Sequence, residues 1–106
     1  MEDYKSRINK LKTEVLDAFT KLNLENAVDQ LEILNAKTKT TDFWKDNLRA
    51  QEIMKQISSY ELELDPWLKL RDSVSELEDW ISTQETDSRE IIETLLEKSE
   101  TEYQTI

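Results

Sequence analysis

The stretch Tyr60-Glu61-Leu62-Glu63-Leu64-Asp65-Pro66-Trp67-Leu68-Lys69-Leu70 holds the only proline of the chain and decides whether its middle third is one helix or two. Two readings are open. In the first, Asp65 is an N-cap and Pro66 takes the first helical position, where its missing N–H costs nothing, so a new helix starts there. In the second, one helix runs from about residue 47 to about residue 83 and Pro66 only kinks it, at a cost of about 3 kcal/mol and with residue 65 pressed out of the α region. The apolar phase favours the second reading. Ile53, Ile57, Tyr60, Leu64 and Trp67 follow one another at steps of four, three, four and three, a helical series that a tight turn would scramble. Leu70, Val74, Leu77 and Ile81 extend it, with Trp80 alongside, and Leu48, Ala50 and Met54 precede it on what reads as the same apolar surface.

Upstream, Ile8, Leu11, Val15, Ala18, Phe19 and Leu22 recur at steps of three and four between Tyr4 and Leu22, which predicts an amphipathic helix with one buried stripe. Asn23-Leu24-Glu25-Asn26 interrupts the stripe with two poor helix formers and predicts a short break. A second helix follows, burying Ala27, Val28, Leu31 and Leu34. From Ala36 to Thr41 the chain is too polar and β-branched to sustain helix, and it reads as a linker.

The next residues, Thr41-Asp42-Phe43-Trp44-Lys45-Asp46-Asn47-Leu48-Arg49-Ala50-Gln51, compress a turn, two aromatics and a helix start into one segment. Thr41 or Asp42 is expected to accept hydrogen bonds from the free N–H groups of a short turn, and Asp46 or Asn47 to cap the helix beyond it. Exposed, Phe43 and Trp44 would make a binding hot spot. Two large apolar side chains between helices more often fold back to plug the end of a bundle, and that is the expectation here. Trp67 and Trp80, flanked by apolar neighbours, are expected to pack in the core.

Downstream, Glu85-Thr86-Asp87-Ser88 reads as a break, and Asp87 with Glu90 three residues later has the form of a capping box. The last helix is expected to bury Ile91 or Ile92, together with Leu95, Leu96 and Tyr103. It reaches Ile106 without a terminating signal, so it is expected to continue in a longer parent protein. Together these elements predict an all-α protein, an antiparallel helical bundle of one domain whose longest helix is kinked at Pro66. No repeat of fixed period is visible, although the helix lengths also suit a spectrin-type or coiled-coil spacer, to which Leu77-Glu78-Asp79-Trp80-Ile81 lends some support.

Composition removes whole classes of chemistry. With 106 residues and 37% hydrophobic content, the chain can build one modest core but not an enclosed ligand cavity. It has no glycine, so Gly-rich phosphate cradles and nucleophile elbows are excluded. It has no cysteine and no histidine, which removes disulfides, thiol nucleophiles, the commonest zinc ligands and the side chain best suited to proton transfer near neutral pH. Acid pairs such as Glu61/Asp65, Asp72/Glu76 and Glu93/Glu97 lack a pocket in which to work, so neither an enzyme nor any cofactor is expected. No apolar run is long enough to span a membrane and Met1-Glu2-Asp3 does not open a signal peptide, so a cytoplasmic location is expected.

The charge is uneven. Residues 1 to 71 carry 12 basic and 13 acidic side chains, whereas residues 72 to 106 carry 2 basic and 11 acidic ones. Such a C-terminal third repels nucleic acid, whose binding depends on Lys and Arg, and suits a basic protein surface. Arg49, Lys55, Lys69 and Arg71 are dispersed among acids and read as helix-surface charges rather than a nucleic-acid groove.

Asp42-Phe43-Trp44, the Asp46-Asn47 pair, the helix-opening Arg49-Ala50-Gln51 and the preceding Leu31-Glu32-Ile33-Leu34-Asn35-Ala36 resemble the helical first domain of class I peptide chain release factors of the bacterial type, the type 2 branch in particular. The resemblance extends over most of the chain, and the segment around Phe43 and Trp44 is its distinctive part. It implies that Asp42, Phe43, Trp44, Arg49, Ala50 and Gln51 are family markers with an architectural role. It also implies a parent protein acting in translation termination, whose other domains read the stop codon and carry a Gly-Gly-Gln tripeptide that promotes peptidyl-tRNA hydrolysis. Neither feature is present here, so no catalytic residue carries over. The partners implied are the ribosome, at the stalk base, and the GTPase factor that recycles release factors. Apolar stripes left uncovered in a fragment of this kind could also drive a homodimer.

Overall fold

The computed structural model describes residues 2–83 and 88–106, and among them it holds four α-helices and no strand: α1 (Glu2–Lys21), α2 (Leu24–Lys37), α3 (Asn47–Thr83) and α4 (Arg89–Thr105). A single 3-10 turn, Phe43–Lys45, lies between α2 and α3. The protein is all-α. The predicted break at Glu85-Thr86-Asp87 and the capping box of Asp87 with Glu90 fall outside the described residues.

α3 is one helix of 37 residues with Pro66 inside it, which decides between the two readings of the middle third. A proline at this position removes the N–H that would bond the carbonyl four residues back, that of Leu62. Leu62 is 80% exposed and Pro66 is exposed too, so the freed carbonyl lies on the water side, where solvent can bond it. The buried side of the same turns is intact: Leu64 and Trp67 flank the proline and both are buried. Along the helix Ile53, Ile57, Leu64, Leu70, Val74 and Leu77 are also buried, each stabilising by about 1.5–3 kcal/mol, which together outweighs the roughly 3 kcal/mol cost of the proline.

Two compact units make up the chain, Met1–Ala18 with Pro66–Ile106, and Phe19–Asp65. In the first, Ile8, Leu11 and Val15 of α1, Leu70, Val74 and Leu77 of α3, and Ile92 and Leu96 of α4 form the buried apolar set. Arg7 forks onto Glu100, Nε to Oε2 at 3.3 Å and Nη2 to Oε1 at 2.5 Å, and this hydrogen bonding raises the Arg7 pKa above its ordinary value against some desolvation. The Arg89 guanidinium lies 5.8 Å from the centre of the Tyr4 ring. With Tyr4 beside Arg89 and Arg7 beside Glu100, α1 and α4 run parallel. Trp67 meets Tyr103 edge-on at 6.3 Å, and Lys12 Nζ reaches Glu78 Oε2 at 3.0 Å, so this half of α3 runs antiparallel to both. Ile92 rather than Ile91 takes the core position. Leu95, Tyr103, Trp80 and Ile81 are only partly buried, because each lies at the edge of its helix's apolar stripe. Ser99 continues the Ile92, Leu96 stripe and is buried with its hydroxyl unpartnered, a cost of about 1–3 kcal/mol that apolar packing must offset.

In the second unit the break after α1 is shorter than its sequence suggests. Asn23 alone adopts left-handed geometry, φ 54° and ψ 42°, with its N–H bonding the Thr20 carbonyl at 3.2 Å. In a chain without glycine, asparagine is the residue that reaches this region at least cost, and here it serves as the C-terminal cap of α1. The turn resets the helical phase. Leu22, predicted to be buried, is exposed, while Leu24, predicted to lie in the break, opens α2 fully buried. Glu25 and Asn26 are helical, and α2 persists through Lys37, two residues into the predicted linker. Ala27 and Leu34 are buried; Val28 and Leu31 are partly so.

Pro66→Ala is expected to raise stability by about 1–3 kcal/mol, read as a higher urea midpoint at unchanged slope, since alanine restores the missing hydrogen bond while loosening the unfolded chain. Unchanged or reduced stability would instead mark Pro66 as a helix-starting residue.

Candidate interaction site

The joint between α2 and α3 is where the sequence is most distinctive, and local hydrogen bonds build it. Thr38 Oγ1 donates to the Asn35 carbonyl at 2.7 Å and Thr40 Oγ1 to that of Lys37 at 3.0 Å, so the two threonines satisfy carbonyls that the end of α2 leaves open. The N–H of Phe43 bonds the Thr40 carbonyl at 3.3 Å and that of Lys45 the Asp42 carbonyl at 3.2 Å, which closes the 3-10 turn. Asp42 caps with its backbone only. Contrary to the sequence expectation, its carboxylate makes no capping bond and instead pairs with Lys45 Nζ at 3.1 Å on the open surface, a contact worth little in water.

Asp46 does cap α3. Its Oδ1 accepts from the Arg49 N–H at 3.2 Å, three residues on, and its carbonyl accepts from Ala50 at 2.9 Å. The Arg49 backbone thus belongs to the cap, Ala50 is buried beneath it, and Gln51 faces solvent.

Phe43 and Trp44 part company. Phe43 is 9% exposed and joins Leu34 of α2 and Ala50, Ile53 and Ile57 of α3 in one apolar cluster, with Leu31 and Tyr60 packed against it. Trp44 is 62% exposed, its ring meeting Phe43 edge-on at 4.6 Å and 89°. Only one of the two aromatics plugs the hairpin. Successive residues of a single short turn cannot both face inward, and the one that shares the Ala50 side does so. Leu48, at 81%, and Met54, at 41%, are likewise exposed rather than buried, because the inward face of α3 is set by Ala50, Ile53 and Ile57.

Two hollows adjoin the joint. The smaller, about 290 Å³, is bordered by Lys37, Asp42, Phe43, Asp46 and Arg49, two cationic and two anionic side chains among them. The larger, an open groove of about 600 Å³, is lined by Trp44, Gln51, Met54, Lys55, Ser58 and Ser59. Sequence reading missed this groove because it set Leu48 and Met54 in the same apolar series as Ile53 and Ile57. The available signal was a second series on α3, at helical spacing and nearly free of charge.

No family model matches the chain, and no curated protein or solved structure is significantly similar to it. Among the described residues no three acidic side chains are grouped to hold a metal, and no helix is long and apolar enough to cross a membrane. What the joint offers is contact surface: an exposed indole, a thioether, and amide and hydroxyl groups on a rigid helix.

The division between the two aromatics is measurable. Phe43→Ala is expected to cost about 3 kcal/mol of stability, and Trp44→Ala less than about 1 kcal/mol, in urea titrations of the two variants. Equal losses would contradict the assignment of Phe43 alone to the core.

Proposed function

We propose that this chain is the non-catalytic first domain of a type 2 class I peptide chain release factor, and that its role is to present protein-binding surface for the parent's work in translation termination. The observation that carries this reading is the joint itself. The residues by which the sequence resembles that family serve as parts of the connection between α2 and α3: Phe43 in the hairpin core, Asp46 with the Arg49 N–H as the helix cap, Ala50 buried below it. An architectural role for these markers is what the resemblance implies.

The partners proposed are the ribosomal stalk base and the GTPase factor that recycles release factors. Support comes from α4, where Glu90, Glu93 and Glu97 are exposed, and from the acidic C-terminal third as a whole, a surface suited to basic protein. Catalysis is assigned to parts of the parent outside these residues, and the domain is placed in the cytoplasm with its parent. A spectrin-like spacer is the second reading. The first unit favours it, since three helix segments run there in alternating directions, with α1 and α4 parallel.

Reading the coding sequence beyond Ile106 separates the two. A Gly-Gly-Gln tripeptide downstream supports the release-factor reading, whereas a further helical repeat of similar length would sink it. Incubated with peptidyl-tRNA and ribosomes, the chain by itself is expected to leave ester hydrolysis at the uncatalysed rate, and robust turnover would overturn the non-catalytic assignment.

A further inference from the structure

α4 is the most sparsely anchored helix of the first unit. Among the described residues it buries two apolar side chains there, Ile92 and Leu96, whereas α1 buries Tyr4, Ile8, Leu11 and Val15, and α3 beyond Pro66 buries Trp67, Leu70, Val74 and Leu77. The stripe of α4 runs Ile92, Leu96, Ser99 and Tyr103, at i, i+4, i+7 and i+11, so a serine stands where a third apolar residue would anchor it. Ser99 is 1% exposed, and its hydroxyl finds no partner among the described residues. Water bonds that hydroxyl as soon as the helix lifts, so Ser99 favours the open form over the docked one.

Charge works in the same direction. α4 carries Arg89 and Lys98 against Glu90, Glu93, Glu97, Glu100 and Glu102, and residues 66–83 of α3 carry Lys69 and Arg71 against Asp72, Glu76, Glu78 and Asp79. Docking therefore brings two acidic helices into one unit, and their net charges repel. The contacts that oppose the repulsion are peripheral. Arg7 and Glu100 have side chains 38% and 33% exposed, and a pair so open to water holds weakly. Arg89 over the Tyr4 ring is the other such contact at this helix.

Connectivity separates α4 from its neighbours as well. α1 and α3 each continue into the second unit, through residues 19–21 and 47–65, and Lys12 bonds Glu78 between them. α4 lies wholly in the first unit. Elements with few buried apolar side chains open at a free energy below that of global unfolding, and moving parts of proteins are drawn from them. We infer that α4 is a strap that lifts from α1 and α3 while those two helices stay folded, uncovering apolar side chains such as Ile8, Leu11, Leu70, Val74 and Leu77. Ser99 sets how readily it lifts, and the pair of Arg7 with Glu100 is its latch. None of this rests on the release-factor reading.

Native-state hydrogen exchange on the 106-residue chain, followed by NMR at increasing urea, reads each helix separately. Corrected for intrinsic rates, the amides of Leu96, Ser99 and Glu100 should exchange at least about 100-fold faster than those of Leu11, Leu70 and Val74. Their urea dependence should also be shallower, because lifting one helix exposes less surface than unfolding the chain. Ser99→Ala removes the unbonded hydroxyl and should slow exchange in α4 about tenfold, whereas Arg7→Gln removes the latch and should speed it about threefold. Amides of α4 that match those of α1 and α3 in protection and urea slope, or that ignore either substitution, would overturn the proposal.

Discussion

The helical phase that runs unbroken past Pro66 is the constraint on which the rest of this structure depends. A proline in a helix interior costs one hydrogen bond and adds a steric clash, about 3 kcal/mol, and it is tolerated where the damage faces water and the opposite side keeps its contacts. Both conditions hold here, with Leu62 and Pro66 exposed and Leu64 and Trp67 buried. One helix of 37 residues therefore supplies core side chains to both compact units, Ala50, Ile53 and Ile57 to one and Leu70, Val74 and Leu77 to the other.

The absence of glycine constrains the connections as strongly. Left-handed backbone occurs once among the described residues, at Asn23, where an amide side chain is the cheapest available substitute. Between α2 and α3 the chain turns by right-handed 3-10 geometry, with threonine hydroxyls and the Asp46 carboxylate satisfying the backbone groups that helix ends expose. Such a joint is built from short polar side chains at fixed offsets, and this is why its sequence is distinctive although it forms no reaction centre.

Much of the fold was legible because amphipathic period and helix signals agree over long segments. Ile8, Leu11, Val15 and Phe19 are buried as their spacing predicts, and so are Leu64, Trp67, Leu70, Val74 and Leu77 across the proline. What escaped reading was the inward direction wherever a turn resets the phase. Leu22 and Leu24 exchange roles around Asn23, and Phe43 and Trp44, adjacent and alike in apolarity, separate into core and surface. Leu48 and Met54 were misassigned for a related reason. Three apolar residues, Ala50, Ile53 and Ile57, already fill the inward stripe of α3, and apolarity alone does not reveal a second face. The groove beside Trp44 was hidden with them.

Backbone NMR at Asp65 tests the account most directly, because the two readings of the proline differ in the conformation of that one residue. A continuous α3 predicts helical Cα and carbonyl shifts at Leu64, Asp65 and Trp67, with the amides of Trp67 through Leu70 protected from exchange. Extended shifts at Asp65, together with fast exchange of the first amides after Pro66, would show a helix start there and contradict the single-helix account.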